Sequence, residues 1–185
     1  MDIKELTPEH YDAVIALGNL VHGDNYLDLE SIKLIHQKSI KDNINASFVG
    51  IENNQLLGFR LTFAPLNWTV DRWCSCELWQ VPIKKVCYFK CNTVAEAARG
   101  KGIGGLLLNE SVKAVKKQGG VAGVSHIWLQ SPGNSAFRYF SKAGGKLVKT
   151  HPNRWLPDSL ENGYVCTLCG SECHCDAAEM LLTFK

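Results

Sequence analysis

The stretch that most constrains this chain is Ala98-Arg99-Gly100-Lys101-Gly102-Ile103-Gly104-Gly105, a glycine-rich run between a strand signal and a helix signal. Upstream, Val86 to Ala95 reads as a strand. Downstream, Gly102 to Gln118 reads as a helix, with Ile103 and Leu107 on one row and Leu108, Val112 and Val115 on the adjacent one. Lys113, Lys116 and Lys117 complement the dipole at its C-terminal end, and Gly119 closes it. The N–H groups of the turn therefore point outward from the positive end of a helix, which is an anion site. Glycines let phosphate oxygens come close to the main chain and tolerate positive φ.

Three nucleotide-type patterns compete for this turn. Gly100, Gly102 and Gly105 satisfy G-x-G-x-x-G, but the acidic residue which that motif needs about 20 positions on is missing. No Asp or Glu stands between Glu110 and Asp158. A P-loop needs Ser or Thr after its lysine, and Lys101 is followed by Gly102. The third pattern, R/Q-x-x-G-x-G/A, is met by Arg99, Gly102 and Gly104. At this point the chain resembles the GNAT superfamily of N-acetyltransferases. Asn92 to Arg99 resembles the end of the family's fourth strand and its run-in to the turn. Asn134-Ser135-Ala136-Phe137-Arg138-Tyr139-Phe140-Ser141-Lys142-Ala143-Gly144 resembles a later helix of the family. The similarity covers residues 86 to 145, and the order of elements extends it over nearly the whole chain.

The resemblance implies an α/β (α+β) fold, with a central mixed, mainly antiparallel sheet flanked by helices. It implies an enzyme that passes the acetyl group of acetyl-CoA directly to a primary amine of a small molecule. The coenzyme A pyrophosphate is expected on Arg99, Gly100, Lys101, Gly102, Ile103, Gly104 and Gly105, with Asn134 also in the cofactor site. Main-chain groups of Asn92, Thr93 and Val94 are expected to hold the pantetheine and polarise the carbonyl. The family's proton-donating tyrosine falls on Phe140, so the assignment moves to the nearest hydroxyl, Tyr139, whose alternative role is core packing. For the general base, Glu77, Asp71 and a water chain stay open. His22 and Tyr26 either line the acceptor pocket or form a polar loop.

The remaining elements follow from pattern. Asp2 to Leu6 is a strand signal, Thr7-Pro8 starts a helix running past Tyr11, and Asp28 to Ile40 is a second helix. Ser47 to Ile51 and Leu56 to Phe63 flank a hairpin turn at Glu52-Asn53-Asn54-Gln55. Ala64 to Pro82 is an aromatic-rich connection. Val124 to Gln130, a helix over Ser135 to Lys142, and a strand pair at Tyr164–Leu168 and Ala177–Phe184 complete the order β-α-α-β-β-β-α-β-α-β-β. At 185 residues this is one domain with a cysteine-rich C-terminal hairpin at 164–185. The net charge of +2 is scattered, which argues against a nucleic-acid partner. No apolar run approaches membrane-spanning length and the N-terminus has no signal-peptide pattern, so the expectation is a cytoplasmic protein with no membrane partner. A homodimer is left open.

Eight cysteines are many for this length. Cys166, Cys169, Cys173 and Cys175 fall within ten residues at the expected hairpin tip. A tetrahedral zinc site is one reading and reduced, buried thiols are the other. A regular strand would send Cys166 and Cys169 to opposite faces, so no metal is assigned. Cys87 and Cys91 are expected on one strand face. Two further classes of function stay in view: a non-catalytic acyl-CoA-binding regulator of GNAT type, and a zinc- or redox-responsive interaction module.

Overall fold

The computed structural model describes residues 1–185. Strand β1 (Asp2–Glu5) is followed by Thr7, whose N–H donates to His10 Nδ1 and starts the turn into helix α1 (Tyr11–His22). Helix α2 (Leu29–Ser39) begins where the Asp28 carboxylate accepts from the Ser31 N–H at 2.7 Å. A two-residue pair, β2 (Ile40–Lys41) and β3 (Ile44–Asn45), leads into β4 (Phe48–Glu52) and β5 (Gln55–Phe63). Asn53 and Asn54 join these last two strands with φ of 51° and 60°, the paired positive values of a tight hairpin turn. Then come β6 (Val86–Val94), α3 (Ile103–Lys117), β7 (Ala122–Trp128), α4 (Ser135–Lys142), β8 (Lys146–His151), α5 (Leu156–Glu161) and β9 (Ala177–Thr183). No helix is long and apolar enough to cross a membrane.

The main sheet has the order β1-β4-β5-β6-β7-β9-β8, and only β6 and β7 run parallel. This is the mixed, mainly antiparallel sheet that the resemblance implies. Helices α1 and α2 cover one face through Val14, Ile32 and Ile35 against Phe59 and Leu61. Helices α3 and α4 cover the other through Leu107, Leu108 and Phe140 against Phe89 and Met180. The aromatic connection after β5 completes the first face, where Trp68 and Trp79 pack on Val86, Val124 and Leu181.

Two expectations need correction. Cys87 and Cys91 lie on opposite faces, Cys87 in the core under α3 and Cys91 in the core under α1 and α2. The cause is a bulge: Thr62 pairs with Phe89 but Leu61 pairs with Cys91, so Lys90 is an extra residue and the alternation changes phase there. The C-terminal hairpin also differs. The strand partner of β9 is β8, and Tyr164–Leu168 contains no strand, only a single bridge from Cys166 to Gly170. Tyr164–Leu168 has strand-forming side chains, but its Val165 N–H donates to Asp24 O at 3.1 Å instead of to a sheet. Edge strand β8 is mostly exposed and carries three lysine and histidine side chains, which hides its signal.

One buried acid ties the aromatic connection to the sheet. Glu179 on β9 accepts from the Ser75 N–H at 2.8 Å and from Trp79 Nε1 at 2.7 Å, while its other oxygen pairs with His151 Nε2 at 2.9 Å. Burial alone would raise this carboxyl, but these hydrogen bonds outweigh it and hold the group below its ordinary value. A depressed folded value means that the contribution is present above the ordinary carboxylate range and lost as pH falls through it. Glu179→Gln should lower stability at pH 7 by about 2 kcal/mol, since a charge-assisted acceptor is lost from two donors. It should also flatten the decline of Tm on the acid side. Urea titrations at pH 7 and pH 4 check this, and an unchanged midpoint at pH 7 would overturn it.

Candidate active site

β6 and β7 pair only through Val86, Cys87 and Tyr88 against Ala122, Gly123 and Val124, and then diverge. The wedge between them opens into a cavity of about 950 Å³. Beyond Tyr88, one edge of β6 faces β5 and the other has no strand partner. The Ala95 N–H donates to Leu57 O on the β5 side. Alternation along the strand then turns the main-chain groups of Val94 and Asn92 toward the open edge.

The glycine turn forms one end of the cavity. Gly100 and Gly102 both have φ of +79°, and Gly102 is the N-cap of α3. A Cβ built on Gly100, Gly102 or Gly105 would meet no atom within 4 Å, so the space over the turn is open to a ligand. Asn92 Oδ1 and Ser131 Oγ are buried, lack hydrogen-bond partners, and belong to residues lining the same cavity. An anion cradle at a helix N-terminus, followed by unsatisfied polar atoms along the wall, suits a ligand with phosphates at one end and amides further on.

Of the residues expected at the cofactor site, Asn92, Thr93, Val94, Arg99, Gly100 and Gly102 through Gly105 line the cavity. Arg99 Nε donates to Val94 O at 3.4 Å. Lys101 and Asn134 are exposed and are not among the lining residues. Asn134 instead takes a left-handed conformation, φ 51°, and its N–H donates to Ser131 O at 2.7 Å, turning the chain into α4.

The phase of α4 puts Tyr139 on the cavity wall and buries Phe140 completely, edge-on to Phe89 at 5.9 Å. Behind Tyr139 lies Arg60, 1% exposed, its guanidinium over the Phe89 ring at 4.3 Å and its Nη1 donating to Tyr139 Oη. Arginine can only donate, so Tyr139 Oη is the acceptor and its own proton stays free for another partner. Burial pushes the Tyr139 hydroxyl above its ordinary value, with Arg60 opposing, so it is protonated at neutral pH.

At the far end, His22 Nε2 meets Thr93 Oγ1 at 2.8 Å, and Cys91 Sγ lies 3.1 Å from the same hydroxyl. Burial would raise the Cys91 thiol, but the nearby His22 and hydrogen bonds with His22, Thr93 and Tyr26 bring it down to about 7. The Tyr26 ring lies 4.4 Å from that of His22, and Lys90 Nζ stands 5.5 Å from the Tyr26 ring. His22 and Tyr26 thus line the cavity, whereas Asp71 and Glu77 do not. Asp71 accepts from the Trp73 N–H and pairs with Arg154 at 3.6 Å, and Glu77 is exposed.

A proton acceptor that the sequence did not disclose lies on the diverging strands. His126 Nε2 is 2.7 Å from the Trp73 carbonyl, to which it must donate, leaving Nδ1 to accept from Tyr88 Oη at 3.0 Å. Burial lowers His126 below its ordinary value and keeps it neutral. Arg60 was detectable as a lone charge inside the apolar run Leu56–Phe63. The pairing of Tyr88 with His126, from strands whose neighbourhood depends on topology, left no local signal.

No family model matches this sequence, and no curated protein sequence matches it. Solved structures match along its whole length. The ribosomal-protein-alanine N-acetyltransferase from Brucella melitensis superposes with a TM-score of 0.69 at 16% identity, covering 100% of both chains. YncA from Salmonella typhimurium, described as a putative acetyltransferase with its cofactor acetyl-CoA, gives 0.64 at 18% identity, covering 100% of this chain and 94% of its own. The acetyltransferase of GNAT family from Streptococcus pneumoniae gives 0.67 at 13%, covering 100% and 99%.

Proposed function

We propose that this chain, which has the fold of the GNAT acetyltransferases, is an acetyl-CoA-dependent N-acetyltransferase acting on a primary amine of a small molecule. The observation that carries the reading is one continuous cavity joining the glycine cradle, the open edge of β6, the Tyr139 hydroxyl and the pocket around His22 and Lys90. Acetyl-CoA supplies an activated acyl thioester, its phosphates suited to Arg99 through Gly105 and its amides to Asn92 Oδ1 and Ser131 Oγ. Main-chain groups of Asn92 and Val94, fixed by β6, present donors to a carbonyl without reorganisation. Tyr139 holds a proton at Oη for a departing anion, and Arg60 stabilises the oxygen that remains. His126 Nδ1 accepts, by relay through Tyr88, the proton that the amine nitrogen loses as its bond to the acyl carbon forms.

The acceptor end favours a small molecule because the segment between α1 and α2 and the cysteine-rich loop wall it in. Lys90 has no carboxylate within 4.0 Å, which favours an acceptor that carries an anionic group. The likeness to an enzyme named for ribosomal-protein alanine supports a second reading, a peptide N-terminus. Thiol release from acetyl-CoA, measured over matched panels of small amines and short peptides, tests both. Turnover with small amines, highest for those bearing a carboxylate, is the expected result. Turnover with peptides alone would move the acceptor to a protein N-terminus, and coenzyme A binding without turnover would leave a non-catalytic regulator.

A further inference from the structure

The segment between α5 and β9 contains no strand, yet four of its side chains converge. The Sγ atoms of Cys166, Cys169, Cys173 and Cys175 all lie within 4.8 Å of one another. Cys169 and Cys175 are 3.5 Å apart and Cys166 and Cys175 are 3.9 Å apart. Four sulfurs at about 2.3 Å from one zinc ion, set at tetrahedral angles, lie about 3.8 Å from one another. A disulfide would instead bring two of them to about 2.05 Å.

The backbone is built for this convergence. Cys166 and Gly170 exchange both main-chain hydrogen bonds at 2.9 Å, and Gly170 has φ of +77°, so Cys166 and Cys169 sit on a closed turn. With a bridge in place of a strand here, no regular alternation sends Cys166 and Cys169 to opposite faces. The Leu168 N–H points at Cys166 Sγ from 3.5 Å, a donor that suits a thiolate. Cys173 and Cys175 approach from the extended run into β9, with the Cys173 N–H held by Ser159 Oγ at 2.9 Å.

We infer that these four cysteines form a structural zinc site that braces the acceptor wall of the cavity. Four thiolates fill a tetrahedral shell and leave no open position, so the ion is structural. The compact spacing fits one ion and is too small for a multi-iron cluster, whose ligands stand further apart. The site is sewn to the segment that follows His22. Tyr164 Oη donates to His22 O at 2.8 Å, the Val165 N–H to Asp24 O at 3.1 Å, and Asn25 Nδ2 to Gly163 O at 2.9 Å. Cys166, Cys173 and Cys175 also line the cavity itself. The buried group His126, His151 and Glu179, equally close-set, is no rival site, because its facing atoms are already committed to Trp73, Tyr88, Ser75, Trp79 and one another.

The acceptor role rests on the proposed acetyltransferase reading, but the metal does not, and the experiment separates them. Protein purified without chelator is analysed for metals, and a mercurial thiol reagent is titrated against zinc release. About one zinc per chain, released as four thiols react, is the expected result. Cobalt substitution should give the visible bands of a tetrahedral tetrathiolate. Cys169→Ala, at the exposed ligand, should lose the ion and lower Tm, while Cys74→Ser keeps it. With a working acceptor, Cys169→Ala should raise the acceptor KM by about tenfold and leave coenzyme A affinity within about twofold. Wild-type protein that takes up no zinc on reconstitution, with all four thiols freely reactive or paired as disulfides, would overturn the site. A zinc-loaded protein without transferase activity would sustain the site and count against the enzyme reading alone.

Discussion

Coenzyme A affinity should fall by about a hundredfold in Gly102→Val, a loss of about 2.7 kcal/mol, with the chain still folded. Gly102 caps α3 at φ of +79°, so a β-branched residue there carries backbone strain of about 1–2 kcal/mol. That strain is present with or without ligand and lowers affinity only as far as it shifts the turn; volume supplies the larger part of the loss. A Cβ at Gly102 would meet open space, so the new side chain projects into the volume that the cavity offers to a ligand. Gly105→Val separates the two causes. Gly105 lies inside α3 without positive φ, and its Cβ would also meet open space, so a loss of affinity there reflects intrusion alone. At Gly104 a Cβ would stand 3.0 Å from Asn92 Nδ2, so Gly104→Val should displace Asn92 as well. Calorimetric titration with coenzyme A reads all three variants, and unchanged affinity in Gly102→Val and Gly105→Val would remove the cofactor from this turn.

The glycine turn was legible because its chemistry is local: the strand, the turn and the helix dipole act within about twenty residues of sequence. The hairpin at Asn53 and Asn54 was legible for the same reason. What the sequence hid depends on partners far along the chain. Trp68 and Trp79 read only as part of a long aromatic-rich connection, since the acid that anchors Trp79 is Glu179 on the last strand. The extra residue at Lys90 reverses the alternation of β6, and no feature of the Val86–Val94 pattern marks it. Tyr164–Leu168 read as a strand because its residues favour one, yet Asp24 and Gly170 supplied its main-chain partners. The four cysteines were visible as a cluster, but their convergence required that this segment not be a strand.

The choice between Tyr139 and Phe140 was the least legible of all, because one residue of helix rotates a side chain by about 100°. If Tyr139 gives its proton to the departing thiolate, Tyr139→Phe should lower kcat by about a hundredfold or more, with coenzyme A affinity nearly unchanged. Stability should fall as well, by about 1–3 kcal/mol, because the variant leaves Arg60 Nη1 buried without its acceptor while Arg60 Nε already has none. The two effects can be told apart in Arg60→Met with Tyr139→Phe, which removes both polar partners. Stability should recover in part relative to Tyr139→Phe, and turnover should not. Phe140→Tyr offers no rescue, since Phe140 is fully buried and packs edge-on to Phe89, so a hydroxyl there enters an apolar core. Tyr139→Phe with kcat within a few-fold of wild type would make Tyr139 a positioning partner of Arg60 and pass the donor role to water or another protonated group of the cavity wall.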